Sequence, residues 1–108
     1  MARTLIHMQP TARRGEVIEI RALIAHPMET GYRPGADGKV LARDIIRRFT
    51  CRYNGEAVFA AELHQAIAAN PYIAFHTVAI DSGSLEFKWE GDHGFVQAET
   101  MPLTVTAG

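Results

Sequence analysis

The stretch LEFKWE, residues 85–90, alternates without a break: Leu85, Phe87 and Trp89 fall on one side of an extended backbone and Glu86, Lys88 and Glu90 on the other. A half-buried antiparallel strand requires this period of two, because successive side chains point to opposite faces and only one face meets the core. Further runs on either side, bounded by glycine, proline, aspartate or asparagine, carry the same strand character. The pattern predicts strands over Thr4–Met8, Glu16–Ile24, Asp44–Tyr53, Ala57–Leu63, Tyr72–Ile80, Leu85–Glu90 and Ala98–Thr106.

In DIIRRFTCRY, residues 44–53, Ile45, Phe49, Cys51 and Tyr53 share one face, while Arg48, Thr50 and Arg52 share the other with Ile46. Arg47 falls on the apolar face and breaks the pattern. The NGE that follows is a tight hairpin signal, since Asn54 and Gly55 both accept the positive φ of primed turns, so the third and fourth predicted strands should pair. DSGS (81–84) reads as a similar link with an exposed tip, and GDHG (91–94) opens the last connection. LHQAIAANP (63–71) is the exception: its alanine-rich middle favours a helical turn until Asn70 and Pro71 stop it. Strands at this spacing with no βαβ alternation predict one domain over residues 1–108, an all-β, immunoglobulin-like antiparallel β-sandwich with one short helical turn. A lone cysteine excludes an internal disulfide, so Trp89, Phe49, Phe59, Phe75 and Phe87 must supply much of the core, at about 1.5–3 kcal/mol for each buried side chain of this kind.

The 108 residues are 47% hydrophobic and 21% charged, ordinary values for a folded domain. The apolar runs fall short of the roughly 20 residues of a transmembrane helix. A formal net charge of -1 gives no overall field toward nucleic acid or anionic lipid, so partner choice must rest on local shape. Met8, Gln9 and Pro10 interrupt the apolar run after Ile6, and Arg13–Arg14 are followed by glycine and glutamate instead of an apolar stretch. Its own sequence therefore predicts that the chain stays in the cytoplasm.

Chemistry is sparse. Cys51 lies mid-strand beside Phe49 and Tyr53, where a small buried hydrophobe is the plainer reading than a nucleophile, which needs a base or cation to lower its pKa. His7, His26, His64, His76 and His93 show no zinc-ligand spacing. In HPMETGYR, residues 26–33, an extended backbone could aim His26 and Met28 at one copper ion. The alternative is a shaped loop, with Pro27 forcing His26 to be extended and Gly31 permitting a sharp turn. Glu16, Glu19, Glu86 and Glu90 occupy outward or strand-end positions unsuited to paired acid/base work. The basic strip of Arg43, Arg47, Arg48 and Arg52 can be neutralised by Asp44 and acidic strand faces across a sheet. There is no phosphate loop and no nucleophile elbow. The residues alone describe a β-sandwich better suited to binding than to catalysis.

Four stretches in order, GEVIEIRALIAHPMETGYR, RDIIRRFTCRYNGE, AELHQAIAANPYIAFHTVA and SGSLEFKWEGDHG, together resemble the SoxZ family, one half of the SoxYZ carrier of the thiosulfate-oxidising Sox system. The resemblance implies an immunoglobulin-like sandwich without catalytic residues, cofactor or metal, paired with SoxY, whose flexible C-terminal arm carries sulfur intermediates on a glycine-flanked cysteine. It implies contact, through the complex, with cytochrome-containing and hydrolytic Sox enzymes, and none with nucleic acid or membrane. This chain ends PLTVTAG, with neither that cysteine nor a glycine-rich arm, and is expected to be the partner subunit. The resemblance also replaces the cytoplasmic expectation with a periplasmic one, reached by export bound to SoxY.

Within that frame His26, Pro27, Met28, Glu29, Tyr32 and Arg33 are the candidate partner interface, because Met, Tyr and Arg are enriched at contact hot spots and Pro27 and Gly31 restrict the loop before binding. The rival readings are an independent metal module built on His26 and Met28, with His64 or His93, and an enzyme using Cys51. Unpaired edge strands also offer a route to a homodimer when the chain is isolated.

Overall fold

The computed structural model describes residues 3–32, 34–64 and 70–107. Among them eight strands run in the order β1 (Thr4–His7), β2 (Thr11–Arg13), β3 (Val17–Ile24), β4 (Ile46–Tyr53), β5 (Glu56–Glu62), β6 (Tyr72–Val78), β7 (Gly83–Gly91) and β8 (Val96–Thr106). They form an immunoglobulin-like sandwich of a three-stranded sheet, β1-β3-β6, and a five-stranded sheet, β2-β8-β7-β4-β5. Each expected strand is present to within a few residues. The helical turn expected in LHQAIAANP falls on residues 65–69, outside the described ones.

β2 is the strand that the sequence pattern does not reveal. After β1 pairs antiparallel with β3, the chain crosses at Met8–Pro10 and β2 pairs parallel with β8, Thr11 opposite Thr104. Two short stretches thus serve one sheet each, which leaves no long run to recognise. DSGS also differs from the hairpin-like link expected of it. β6 bonds to β3 whereas β7 bonds to β4 and β8, so residues 81–84 carry the chain from one sheet to the other, with the exposed tip that was expected. NGE is the predicted hairpin: β4 and β5 pair across Asn54 (φ 49) and Gly55 (φ 88).

The misfit of Arg47 has a structural cause. Between β4 and β7 the register shifts, with Ile46 opposite Gly91 and Arg48 opposite Glu90, so Arg47 is the extra residue of a β-bulge. The bulge resets the alternation: Ile45 and Ile46 are both buried and Arg47 and Arg48 both exposed. This corrects the expectation that Ile46 shares the outer face with Arg48. Thr50 is buried as well, its hydroxyl 3.4 Å from Arg48 Nε. Gly91 permits the bulge, since a Cβ there would stand 2.6 Å from the Ile45 carbonyl oxygen.

Phe49, next in phase, lies fully buried at the centre of the core. Its ring centroid is 5.2 Å from Trp89, 6.2 Å from Phe87 and 6.1 Å from both Phe59 and Phe75. Phe75 belongs to the opposite sheet and stacks on Phe59 at 4.4 Å, closing the sandwich between β5 and β6. At the far end of β4 the Tyr53 hydroxyl accepts the Ile80 and Asp81 N–H groups, both at 3.1 Å, and donates to the Asp81 carbonyl. That phenol anchors the crossover between the sheets.

Two variants separate packing from anchoring. Phe49→Ala should cost about 3–5 kcal/mol by leaving a cavity among four rings. Tyr53→Phe should cost about 1–3 kcal/mol by stranding partly buried N–H groups. Urea unfolding midpoints measure both, and a near-neutral Tyr53→Phe would show that the crossover holds without its anchor.

Candidate partner interface

The HPMETGYR loop leaves β3 at Ile24 and is fastened at several points. His26 N–H donates to Asn70 Oδ1 at 3.0 Å and Asn70 N–H donates back to the His26 carbonyl at 2.7 Å. The His26 ring is 6% exposed, packs edge-on to Phe95 at 5.4 Å, and its Nδ1 accepts the Met28 N–H at 3.0 Å. A backbone N–H can only donate, so in the neutral ring the proton sits on Nε2, which faces Asp44 Oδ1 at 3.7 Å. Met28 takes the uncommon φ of 51°, is 4% exposed, and its Sδ lies 3.2 Å from the Ile46 N–H that it accepts. Glu29 and Asp44 exchange backbone hydrogen bonds of 2.8 Å each, and Gly31 makes the expected sharp turn at φ 88°.

These contacts divide the candidate residues. Pro27 is exposed, Glu29 is half-buried and Tyr32 is 74% exposed, whereas Arg33 falls outside the described residues. His26 and Met28 do not present their side chains at the surface, so the expectation that Met28 makes a contact there is corrected. The reason is physical: an apolar thioether gains more by filling the core and accepting the Ile46 N–H than by facing water. The copper alternative meets the same geometry, since Nδ1 and Sδ are both turned to N–H groups of the chain. Among the described residues no three His, Cys, Asp or Glu side chains stand together as a metal site.

The residue that organises this end of the sandwich is one the sequence reading missed. Asp92, in the short 3-10 turn Asp92–Gly94 between β7 and β8, takes Arg43 in a two-point grip, Nε to Oδ2 at 2.9 Å and Nη2 to Oδ1 at 3.0 Å. Arg47 Nε approaches Oδ1 at 3.3 Å and Ile45 N–H donates to Oδ2 at 3.2 Å. His93, at φ 59°, brings Nε2 to 2.8 Å from the Arg43 carbonyl. The hydrogen bonds from Arg43 hold the Asp92 carboxyl below the usual carboxylate range; partial burial opposes them, and the Ile45 N–H and the charges of Arg43 and Arg47 add to them. So Asp92, more than Asp44, neutralises the basic strip. Beside it lies an open groove of 410 Å³ lined by Arg43, Arg47, Arg48, Glu62, His64 and Glu90, among others, in which Arg48 Nη1 sits 3.9 Å from Glu62 Oε1. The only sequence signal for Asp92 was an acid between two turn glycines.

Cys51 is fully buried, and desolvation pushes its thiol up to about 12. It is inert at neutral pH, as a core residue should be.

The sequence profile described as "Sulphur oxidation protein SoxZ" matches residues 6–102, nearly the whole chain. The chain belongs to the SoxZ family. No curated protein matched it in a sequence search. Among solved structures, this SoxZ-family chain is similar to a superoxide reductase (neelaredoxin) from Ignicoccus hospitalis, at TM-score 0.75 and 14% identity over 97% of this chain and 82% of that one. It is similar to the sulfur carrier protein SoxY from Chlorobium limicola f thiosulfatophilum, at TM-score 0.66 and 10% identity over 95% and 78%. A CARDB domain from Pyrococcus furiosus follows at TM-score 0.59 and 8% identity over 100% and 94%. Identities this low establish a shared sandwich and nothing further. Membership in the SoxZ family makes the chain a subunit of a Sox sulfur-oxidation system.

The Asp92 hub yields a pH test. Because folding lowers this pKa, the stabilisation it brings is fully present above the unfolded aspartate pKa of about 3.9 and is lost as pH falls through the lower folded value. Asp92→Asn should therefore lower the urea midpoint at neutral pH, and the gap to the wild type should narrow below about pH 4. A gap that is constant with pH would show that the carboxylate charge contributes nothing.

Proposed function

We propose that the chain is the non-catalytic subunit of a periplasmic SoxYZ carrier, paired durably with SoxY and exported with it. The observation that carries this reading is the state of Cys51. The sequence holds a single thiol, and it is sealed in the core of β4 with its pKa raised, whereas a carrier of covalent sulfur adducts needs an accessible thiolate on a segment with reach. On this reading the sulfur rides on another chain, and the family supplies SoxY, whose arm ends near a glycine-flanked cysteine. This subunit keeps SoxY folded, limits where its arm can lie, and helps present the complex to the cytochrome-containing and hydrolytic enzymes of the system.

The loop at residues 26–33 forms part of the SoxY contact through its outward side, Pro27 and Tyr32, with Glu29 at its margin. Its fastening by His26, Met28, Asn70 and Asp44 supports this role, since a loop already ordered loses little conformational entropy on binding.

Co-expression with neighbouring genes followed by capture of this chain should recover a small protein with a C-terminal glycine-flanked cysteine, and its absence from periplasmic fractions would overturn the proposal. Tyr32→Ala should weaken SoxY binding by about tenfold or more, as loss of an aromatic hot spot does, while leaving the unfolding midpoint in place. Met28→Ala should do the reverse, lowering stability by about 2–5 kcal/mol. Unchanged affinity for Tyr32→Ala would remove the loop from the interface. Alkylation of Cys51 under native conditions should proceed no faster than unfolding exposes it.

A further inference from the structure

The outer face of the β1-β3-β6 sheet carries a pattern that no role described so far uses. Along β3 the outward side chains are Val17, Glu19, Arg21 and Leu23, while Ile18, Ile20, Ala22 and Ile24 point inward and are buried. Register extends each position into a row: Leu5, Leu23 and Tyr72 at one end, then His7, Arg21 and Ala74, then Glu19 with His76, then Val17 with Val78. Leu5, Tyr72, Val17 and Val78 are all exposed. The middle is an ion-paired line, Arg21 Nη2 at 2.8 Å from Glu19 Oε1 and His76 Nε2 at 3.7 Å from Glu19 Oε2.

The order apolar, acid, base, apolar is complementary to its own reverse. We propose that this face docks a second copy of the chain about a two-fold axis lying between the two sheets and crossing β3 near Ile20, perpendicular to the strands. That rotation sets position 17 over 23, 19 over 21 and 72 over 78. Each Glu19 then meets the other copy's Arg21, and a 220 Å³ hollow lined by Leu5, His7, Arg21, Leu23 and Tyr72 receives the other copy's Val17. An axis parallel to the strands would instead place Glu19 on Glu19 and Arg21 on Arg21. Charge thus selects one symmetry, and the isologous contact closes at two copies. Strand spacing makes the face about 26 Å by about 14 Å. That area falls well below the roughly 800 Å² per partner of a stable complex, so the dimer forms in a concentration-dependent way. The inference uses neither the SoxY pairing nor the loop at residues 26–33.

Sedimentation equilibrium of the purified chain, from about 10 µM to about 1 mM, should show the mean mass rising toward twice the monomer. Glu19→Arg and Arg21→Glu should each weaken association by at least about tenfold, because each places like charges face to face. The double variant Glu19→Arg with Arg21→Glu should restore it, and an equimolar mixture of the two single variants should associate where neither does alone. Both positions are exposed, so unaltered thermal unfolding of the variants separates lost docking from lost folding. A mass constant over the whole range, reversals without effect, or a mixture that stays monomeric would each overturn the proposal. So would a face silent toward itself but protected from amide exchange by SoxY.

Discussion

The contact on which this structure depends is that of Phe49 with the four rings around it. Phe59, Phe87 and Trp89 approach it from its own sheet and Phe75 from the other, so one side chain couples the two layers that no disulfide joins. β4 must deliver Phe49 in the correct phase while its first residues, Ile45 and Ile46, also seal the core. Plain alternation cannot do both across this span. The bulge at Arg47 resolves the conflict, Gly91 leaves the room it needs, and the extra residue turns outward to Asp92. A packing requirement in the core thereby creates the charged junction at the end of the sandwich.

That junction and the loop at residues 26–32 tie one end of the molecule together at several points. Asp92 ties the β7–β8 turn to the lead-in of β4, Glu29 and Asp44 tie the same lead-in to the loop, and His26 with Asn70 ties the loop to the start of β6. His26 Nδ1 and Met28 Sδ are engaged with backbone N–H groups, Asp92 with the Arg43 and Arg47 side chains, and the thiol lies in the core.

Much of this was legible locally. Period-two alternation in LEFKWE and its neighbours located the strands, because each side chain's facing depends only on its place in an extended chain. NGE declared its hairpin, since positive φ is a property of Asn54 and Gly55 themselves. Arg47 was visible as a misfit, but a misfit alone does not distinguish a bulge from a buried charge. Asp92 was not legible: its partners lie 45 to 49 residues earlier and meet it only through the β4–β7 pairing. β2 escaped for the same reason, as a three-residue parallel strand owes its existence to β8.

His26 and Met28 mark the boundary most clearly. By itself the sequence determined an all-β chain, its strands, its aromatic core and a shaped loop, because these follow from alternation, turn chemistry and burial of apolar area within short windows. Only the tertiary structure decided that Met28 turns inward while Tyr32 turns outward, that Asp92 and not Asp44 gathers the arginines, and that Val17, Glu19, Arg21 and Leu23 line an open face. Those outcomes depend on which distant segments arrive alongside, and sheet pairing across long loops is a cooperative property of the whole chain that no window of sequence contains.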